Sequence, residues 1–470
     1  MRKWFTFCIA LAALLGIAFA GPASADWERK YGADDHLSKA YSVEQTPDDG
    51  YIVAGYTTLA SAIDEDVYLV KTNASGVTLW SRTYQNPNDG NFCESIQLTP
   101  DGGYILGGYR LEYSRDQYDV YLLKTNASGD TLWSRTYGSP TGNETAYSLE
   151  VTSDSGYVIA GTTRSVGPGT QADVWLIKTK ANGDTLWTRT YGGPYDDFGY
   201  SVKQTSDGGY IVTGVTDYWG PDPQVYLIKT NASGNALWTR TYGPAGTYPR
   251  DIGWDVLQTS DGGYVVAGET AGGRDIYLVK TNASGNALWT RTYSVVGGNY
   301  VEQGLSVQQT RDGSYLVGGQ CGPGDLYVMK TNAAGDTLRT WTFNGGGSGG
   351  EEEGNCIRLT RDGGCIVAGW SGSGSWPKYY LVKIEGVSGV ESANDDGRKL
   401  EVGLKTAPNP FVSFASVPGH ERERFALYDI SGRKVGIYRG DRIGAGLEAG
   451  VYFLKAEGKD AKPVRIVKIR

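Results

Sequence analysis

Apolar residues in most of this chain fall in short runs bounded by Gly- and Asp-containing turns, with period-two alternation or near-continuous apolar character. Tyr51-Ile52-Val53-Ala54-Gly55 and Asp66-Val67-Tyr68-Leu69-Val70-Lys71 read as strands b and c of a unit. The turns between strands are of two types, T-x-D-G-G-Y and T-N-A-S-G, and Gly76 and its equivalents permit the positive φ that the second needs. Strand c is apolar at consecutive positions, as expected of a strand covered on both faces. A fourth strand, L-W-[ST]-R-T-Y, follows each T-N-A-S-G-type turn and alternates Trp, Arg and Tyr on one face.

The unit is written seven times. The turn aspartate recurs at Asp48, Asp101, Asp154, Asp207, Asp261, Asp312 and Asp362, spaced 50 to 54 residues apart. The lysine ending strand c recurs at Lys71, Lys124, Lys178, Lys229, Lys280, Lys330 and Lys383. Four short strands at this period predict an all-β chain, a seven-bladed β-propeller. Fourth strands begin around Trp80, Trp133, Trp187, Trp238 and Trp289, with a degraded copy at Leu338-Arg339-Thr340-Trp341-Thr342-Phe343. No copy follows Lys383, but Trp27-Glu28-Arg29-Lys30-Tyr31 carries the same alternation. The N-terminal strand is therefore expected to complete the last blade and close the ring, removing two sheet edges.

Residues outside the repeats divide the rest of the chain. Arg2 and Lys3, an apolar run from Trp4 to Ala20 and Ala23-Ser24-Ala25 read as a secretory signal peptide over residues 1–25. The propeller is expected over 26–385 and a polar Gly/Ser linker over 386–403. Alternating apolar residues between Gly turns over 404–470 predict a small Ig-like β-sandwich.

Two resemblances follow from these motifs. Lys124-Thr125-Asn126-Ala127-Ser128-Gly129-Asp130-Thr131-Leu132-Trp133 and its copies resemble the turn-and-tryptophan element of quinoprotein-like propellers, which implies a Trp docked between adjacent blades. The Cys-Cys pair that such quinone-dependent dehydrogenases use does not occur, so no cofactor is expected. The tail resembles the C-terminal sorting domain of type IX secretion cargo. The resemblance is carried by Pro408, Asn409 and Pro410, by Tyr428-Asp429-Ile430-Ser431-Gly432-Arg433, by Gly450-Val451-Tyr452 and by a basic last strand. It implies type IX secretion machinery as a partner, export across the outer membrane, and removal of the tail or its exchange for a surface anchor. Pro418-Gly419-His420-Glu421 departs from that pattern.

Charge is split between the parts. Residues 26–397 hold 27 Lys and Arg against 44 Asp and Glu, whereas residues 398–470 hold 15 against 8. An acidic body excludes nucleic acid as the expected partner. Only His36 and His420 occur, which removes histidine-based catalysis and histidine-rich metal sites, and no metal is expected. The cysteines beyond the leader, Cys93, Cys321, Cys356 and Cys365, show no paired spacing and read as small buried thiols; the alternative is a Cys321–Cys356 bridge.

Variation marks the expected functional face. The a–b and c–d turns are near-identical and share one face; the b–c and d–a connections share the other and differ from blade to blade. The latter carry the ligand-binding candidates Tyr113, Tyr195, Asp196, Asp197, Tyr218, Trp219, Tyr248, Trp370 and Trp376. Aromatic rings beside carboxylates suit sugar rings and hydroxyls. The leading expectation is a secreted, surface-retained monomer that binds a glycan or protein ligand through this face without catalysis. One alternative is a glycan-cleaving enzyme using pairs such as Asp196/Asp197 or Glu351–Glu353, which would need two carboxyls about 5–9.5 Å apart across a cleft. The other is an envelope scaffold without a pocket.

Overall fold

A computed structural model describes residues 26–59, 65–86, 89–165, 171–243, 250–270, 274–296, 300–345, 351–372 and 376–387, and within the tail 424–429, 433–439, 443, 447–448, 450–456 and 464–468. The chain divides into two compact units, Met1–Val390 and Glu391–Arg470. The expected signal peptide lies outside the described residues.

Every element assigned among the described residues is a strand. In the first unit they form seven four-stranded antiparallel sheets, six of which are consecutive a-b-c-d meanders. In the first sheet strand a is His36–Gln45, b Tyr51–Leu59, c Glu65–Thr72 and d Thr78–Tyr84. The following five sheets span residues 89–137, 144–191, 198–242, 252–293 and 303–343. In the last, strands Glu351–Leu359, Cys365–Gly372 and Lys378–Ile384 are completed by Trp27–Tyr31, with Trp27 opposite Lys383 and Tyr31 opposite Tyr379.

The core lies between sheets. Ile52, Ala54, Val67 and Leu69 of the first sheet pack on Cys93, Ile96, Tyr104, Leu106 and Leu123 of the second. The other face of the first sheet, through Ala40, Val43, Val53 and Val70, packs on Ile366, Ala368, Tyr379 and Leu381 of the last. Each sheet thus has two buried faces, which accounts for the continuous apolar run in strand c. A ring of four-stranded sheets packed face to face, the last against the first, is a β-propeller.

Each of the first six strand-d elements, counted from Trp27–Tyr31, docks on the next c–d turn. Trp27 lies over Gly76, where a Cβ would come to 2.8 Å from the ring, as Trp80 lies over Gly129 (2.9 Å) and Trp187 over Gly234 (2.6 Å). These glycines adopt φ between 75° and 86°, so both the turn and the ring require glycine. The Tyr four residues further along the strand donates its hydroxyl to the same glycine's carbonyl, as Tyr31 does to Gly76 at 2.7 Å and Tyr84 to Gly129 at 2.6 Å. Arg82 and its equivalents lie over their own Trp ring at about 5.5 Å. The degraded copy exchanges two positions: Arg339 stands where Trp does elsewhere and buried Trp341 where Arg does, in the same strand register.

The repeated aspartate and lysine are one structure. Lys71 is buried and reaches Asp48 at 2.8 Å and the Thr72 carbonyl at 2.9 Å, while Asp48 also accepts from Thr46 and the Gly50 amide. The pair recurs in all seven sheets. Burial alone would raise Asp48, Asp101, Asp207 and Asp261, but the lysine, threonine and amide donors outweigh it and hold each at about 2.

The four cysteines among the described residues, Cys93, Cys321, Cys356 and Cys365, are free and buried. The Cys321–Cys356 alternative is not formed, because Cys321 packs between the fifth and sixth sheets and Cys356 between the seventh and the first. The second unit shows one four-stranded antiparallel sheet among its described residues, with Lys434–Arg439 and Val464–Lys468 at the edges. Phe425, Leu427, Ile443 and Leu454 form its core. Within the tail motif, Arg433 closes a hairpin on Asp429 through its amide at 3.1 Å and guanidinium at 3.0 Å, and Gly450 opens the third strand. Pro408, Asn409, Pro410 and Gly432 lie outside the described residues.

Candidate functional site: loop face and central bore

Tyr195, Asp196, Asp197, Tyr218 and Trp219 are brought together where the fourth sheet begins. Trp219 is 66% exposed and meets Tyr218 edge to face at 4.8 Å; Arg250 lies 4.6 Å from the Tyr218 ring centre and 5.8 Å from that of Trp219. Tyr195 is exposed beside Gly220, where a Cβ would meet its ring at 2.9 Å. Tyr113 lies on the second sheet and donates to Glu65 at 3.2 Å; Trp376, exposed, belongs to the seventh. Tyr248 lies outside the described residues.

Three candidates are enclosed instead of presented to solvent. Asp196 pairs with Arg164 at 2.7 Å and accepts from the Ala172 amide at 2.9 Å. Asp197 is fully buried and accepts from the amides of Gly193 at 2.7 Å and Asp217 at 3.3 Å. It belongs to a repeated set of buried acids, Glu144, Asp197, Asp251, Glu302 and Glu352, that bind loop amides or hydroxyls at the head of strand a. Both aspartates hold loops in place, which corrects the expectation of a free acid pair. Trp370 is buried too, giving its indole N–H to Glu353 at 3.0 Å beneath Lys39, whose ammonium lies 4.0 Å from the ring centre. Glu351–Glu353 are not a loop cluster either: they lie on strand a, alternating between exposed, buried and bore-lining.

The feature not expected from sequence is the bore. Strand a of each sheet breaks register at one repeat position, between Ala40 and Ser42, Cys93 and Ser95, Ala146 and Ser148, and so on to Glu353 and Cys356. These β-bulges turn Tyr41, Glu94, Tyr147, Tyr200, Trp254, Leu305 and Asn355 into the centre of the ring. They line a cavity of about 370 Å³ with Gln303 and Glu353. A repeated small-aromatic-Ser-aliphatic signature (Ala40-Tyr41-Ser42-Val43, Gly199-Tyr200-Ser201-Val202) breaks period-two alternation and is the signal that could have revealed it.

Deeper in the bore the inner edges satisfy one another. Ser42 accepts from the Ile96 amide and Ser148 from the Val202 amide, both at 3.2 Å, and Asp255 accepts from Ser201, Ser306 and the Val307 amide. Arg358 pairs with Glu44 at 2.9 Å, and Lys203 with Glu150 at 3.7 Å. This tier caps what would otherwise be free strand edges.

The upper tier differs. Its rings run in contact from Tyr41 through Tyr56, Phe92, Tyr109, Tyr147 and Tyr200 to Trp254, with centroids 4.5 to 6.5 Å apart. A branch through Phe198 joins Tyr200 to Tyr218 and hence to exposed Trp219. Glu269 accepts from the Trp254 indole at 3.2 Å and from Gln303. Glu94 has no hydrogen-bond donor among the described residues; burial, then the charge of Glu353, push it up to about 8. Its surface keeps some water contact through the bore, while protein surrounds the side chain. Burial also raises Glu353, against the opposing effects of Lys39 and the Trp370 N–H. Among the described residues no group of three or more His, Cys, Asp and Glu is placed to hold a metal ion.

No family model matches the chain, and no curated protein matches it. Among solved structures it is similar to a protein of unknown function from Bacteroides caccae, at 11% identity over 59% of this chain and 89% of that one, TM-score 0.39. It is also similar to the Pan2 WD40 domain of Neurospora crassa, at 10% identity over 74% and 90%, TM-score 0.46. A third is Sqt1 from Chaetomium thermophilum, at 11% identity over 92% and 97%, TM-score 0.44. The propeller assignment rests on the sheets themselves.

Proposed function

We propose that this is a secreted, surface-retained, seven-bladed propeller of the tryptophan-docking type, closed by residues 27–31. In this reading it binds a glycan or protein ligand through its b–c/d–a face. Residues 404–470 act as an Ig-like sorting domain that hands the chain to type IX secretion machinery, and residues 1–25 as the signal peptide.

One observation carries the binding reading. The aromatic contacts that begin in the bore reach solvent on the irregular face, at Tyr218 and Trp219 beside Tyr195. A mostly exposed indole held by a neighbouring ring and an arginine offers a preorganised stacking surface. The opposite end offers only seven copies of the same Asp–Lys turn. Export is supported by the leader pattern and the tail motifs, including the Asp429–Arg433 hairpin.

A glycan array and a pull-down with the purified full chain test the binding reading. Trp219→Ala and Trp376→Ala are expected to weaken whatever is captured, and Asp207→Asn to leave capture intact as long as the chain stays folded. The opposite result places the site on the other face. Truncation after Gly386 is expected to trap the chain in the periplasm of a host with type IX secretion; normal extracellular delivery refutes the sorting assignment.

A further inference from the structure

The upper bore is unlike every other polar region of this propeller. Elsewhere the recurring acids have donors at hand: lysine at the turns, amides and hydroxyls at the strand heads, arginine or serine in the deep bore. Glu94 has none among the described residues, although it stands in the wall of a cavity of about 370 Å³ that could admit a small group. Its neighbours across that space are ring systems, a second carboxyl, Leu305, and the amides of Gln303 and Asn355, which donate to Glu269 and to the Ala40 carbonyl.

We propose that the bore beside Glu94 and Glu353 is a binding site for an alkylammonium group, seated against Tyr41, Tyr147, Tyr200 and Trp254. Ring faces attract a cation through their quadrupole, more strongly where water is excluded, and a carboxylate supplies the counter-charge. Lys39 partly offsets Glu353, but among the described residues no cation offsets Glu94. Lys39 is engaged on the Trp370 ring, and Arg250 lies on Tyr218 and Trp219. Arg358 and Lys203 are paired with Glu44 and Glu150 below.

The proton now on Glu94 fills the role of that cation. Glu94 faces Glu353 and the hydroxyls of Tyr41, Tyr56, Tyr109 and Tyr147, each of which is itself raised by burial first and by Glu94 in addition. An entering ammonium stabilises the carboxylate, so Glu94 gives its proton to solvent as the ion pair forms. A neutral saccharide would instead meet Glu94 as a protonated donor and would release nothing. Proton release therefore separates the two ligand classes. The inference goes beyond the loop-face reading and survives its failure, since Trp219 takes no part in it.

The test is calorimetric titration of the full chain at pH 7 with n-butylammonium chloride, the tripeptide Gly-Lys-Gly and cellobiose, each in two buffers of different ionisation heat. The expected result is binding of an ammonium probe with release of close to one proton, and no binding of cellobiose. Butylammonium binding tighter than the tripeptide points to a free amine, and the reverse to a lysine side chain. Glu94→Gln is expected to weaken the ammonium probe at least tenfold and abolish proton release. Trp254→Leu is expected to weaken it while leaving proton release per bound probe intact. A single cooperative thermal transition in each variant shows that it is folded. Failure of both ammonium probes to bind, binding without proton release, or full affinity in folded Glu94→Gln overturns the proposal, as does binding of cellobiose alone.

Discussion

The two ends of each sheet solve the same problem, a carboxyl near buried surface, in opposite ways. At the a–b turn Asp48, Asp101, Asp207 and Asp261 stay about half exposed, receive a buried lysine, a hydroxyl and an amide, and are pulled down to about 2. In the bore Glu94 stands among rings, has no hydrogen-bond donor among the described residues and is pushed up to about 8. The first arrangement is copied seven times; the second occurs once. Repetition marks a charge balanced within its own sheet, and a departure from it marks a charge left for something else to balance.

The ring itself is where the comparison breaks most easily, because both ends depend on it. Deleting residues 26–32 empties the Trp27 site on Gly76, removes the Tyr31 bond and exposes the Lys378–Ile384 edge. A loss of upward of about 4 kcal/mol is expected in urea unfolding, in line with removing a docked Trp and opening a sheet edge. An unchanged midpoint would mean that the strand decorates the ring without closing it.

Next in size is the turn pair. Asp207→Asn leaves Lys229 buried without its counter-charge, which is expected to cost about 1–3 kcal/mol after allowance for the exposed side of the carboxylate. Asp207→Leu with Lys229→Met is expected to recover most of it. The pH response has a defined sign. These aspartates titrate at 3.8 ordinarily and at about 2 when folded, so their contribution is full above about pH 4 and lost as pH falls through 2. Acid unfolding that begins above pH 5 and is unaffected by the variant would count against this.

Glu94 should respond the other way. The unfolded chain releases this proton near 4.5 and the folded chain holds it to about 8, so Glu94 erodes stability as pH rises across that window and adds no further change above it. Glu94→Gln is expected to flatten the fall in thermal midpoint between pH 5 and 8 and to be the more stable protein at pH 8. Equal slopes in the two proteins would show that Glu94 is ionised in the fold. The smallest effect on stability is expected from Trp219→Ala, within about 0.5 kcal/mol, since the ring is mostly exposed. A larger loss would make Trp219 part of the scaffold and not of a binding face.

Much of the architecture was legible in the chain, because it is carried by local and repeated signals. Period-two runs, the Asp-Gly turns and the displaced Trp27-x-Arg29-x-Tyr31 copy determine strands, order and closure: each is a short-range preference or a count. The glycine under each tryptophan was legible as a turn, and its second reason, the ring above it, came only from the neighbouring sheet. Asp48 and Lys71 were each visible as repeats 23 residues apart, yet only the antiparallel register makes them a pair.

The site was less legible, for a physical reason. Asp196, Asp197 and Trp370 have the composition of a binding loop, but burial, the Arg164 guanidinium on Asp196, the Gly193 and Asp217 amides on Asp197, and the Glu353 carboxylate that accepts from Trp370 turn them into supports. The bore is assembled from one residue per sheet, about fifty positions apart, and a single bulge decides whether that residue packs between sheets or faces the axis. Sequence determined that seven such units exist and that they close. Only the tertiary structure decided which side of each inner strand faces the axis, and so that Glu94 stands among rings with no donor among the described residues, because desolvation and ring closure belong to the assembled sheets and not to any segment of them.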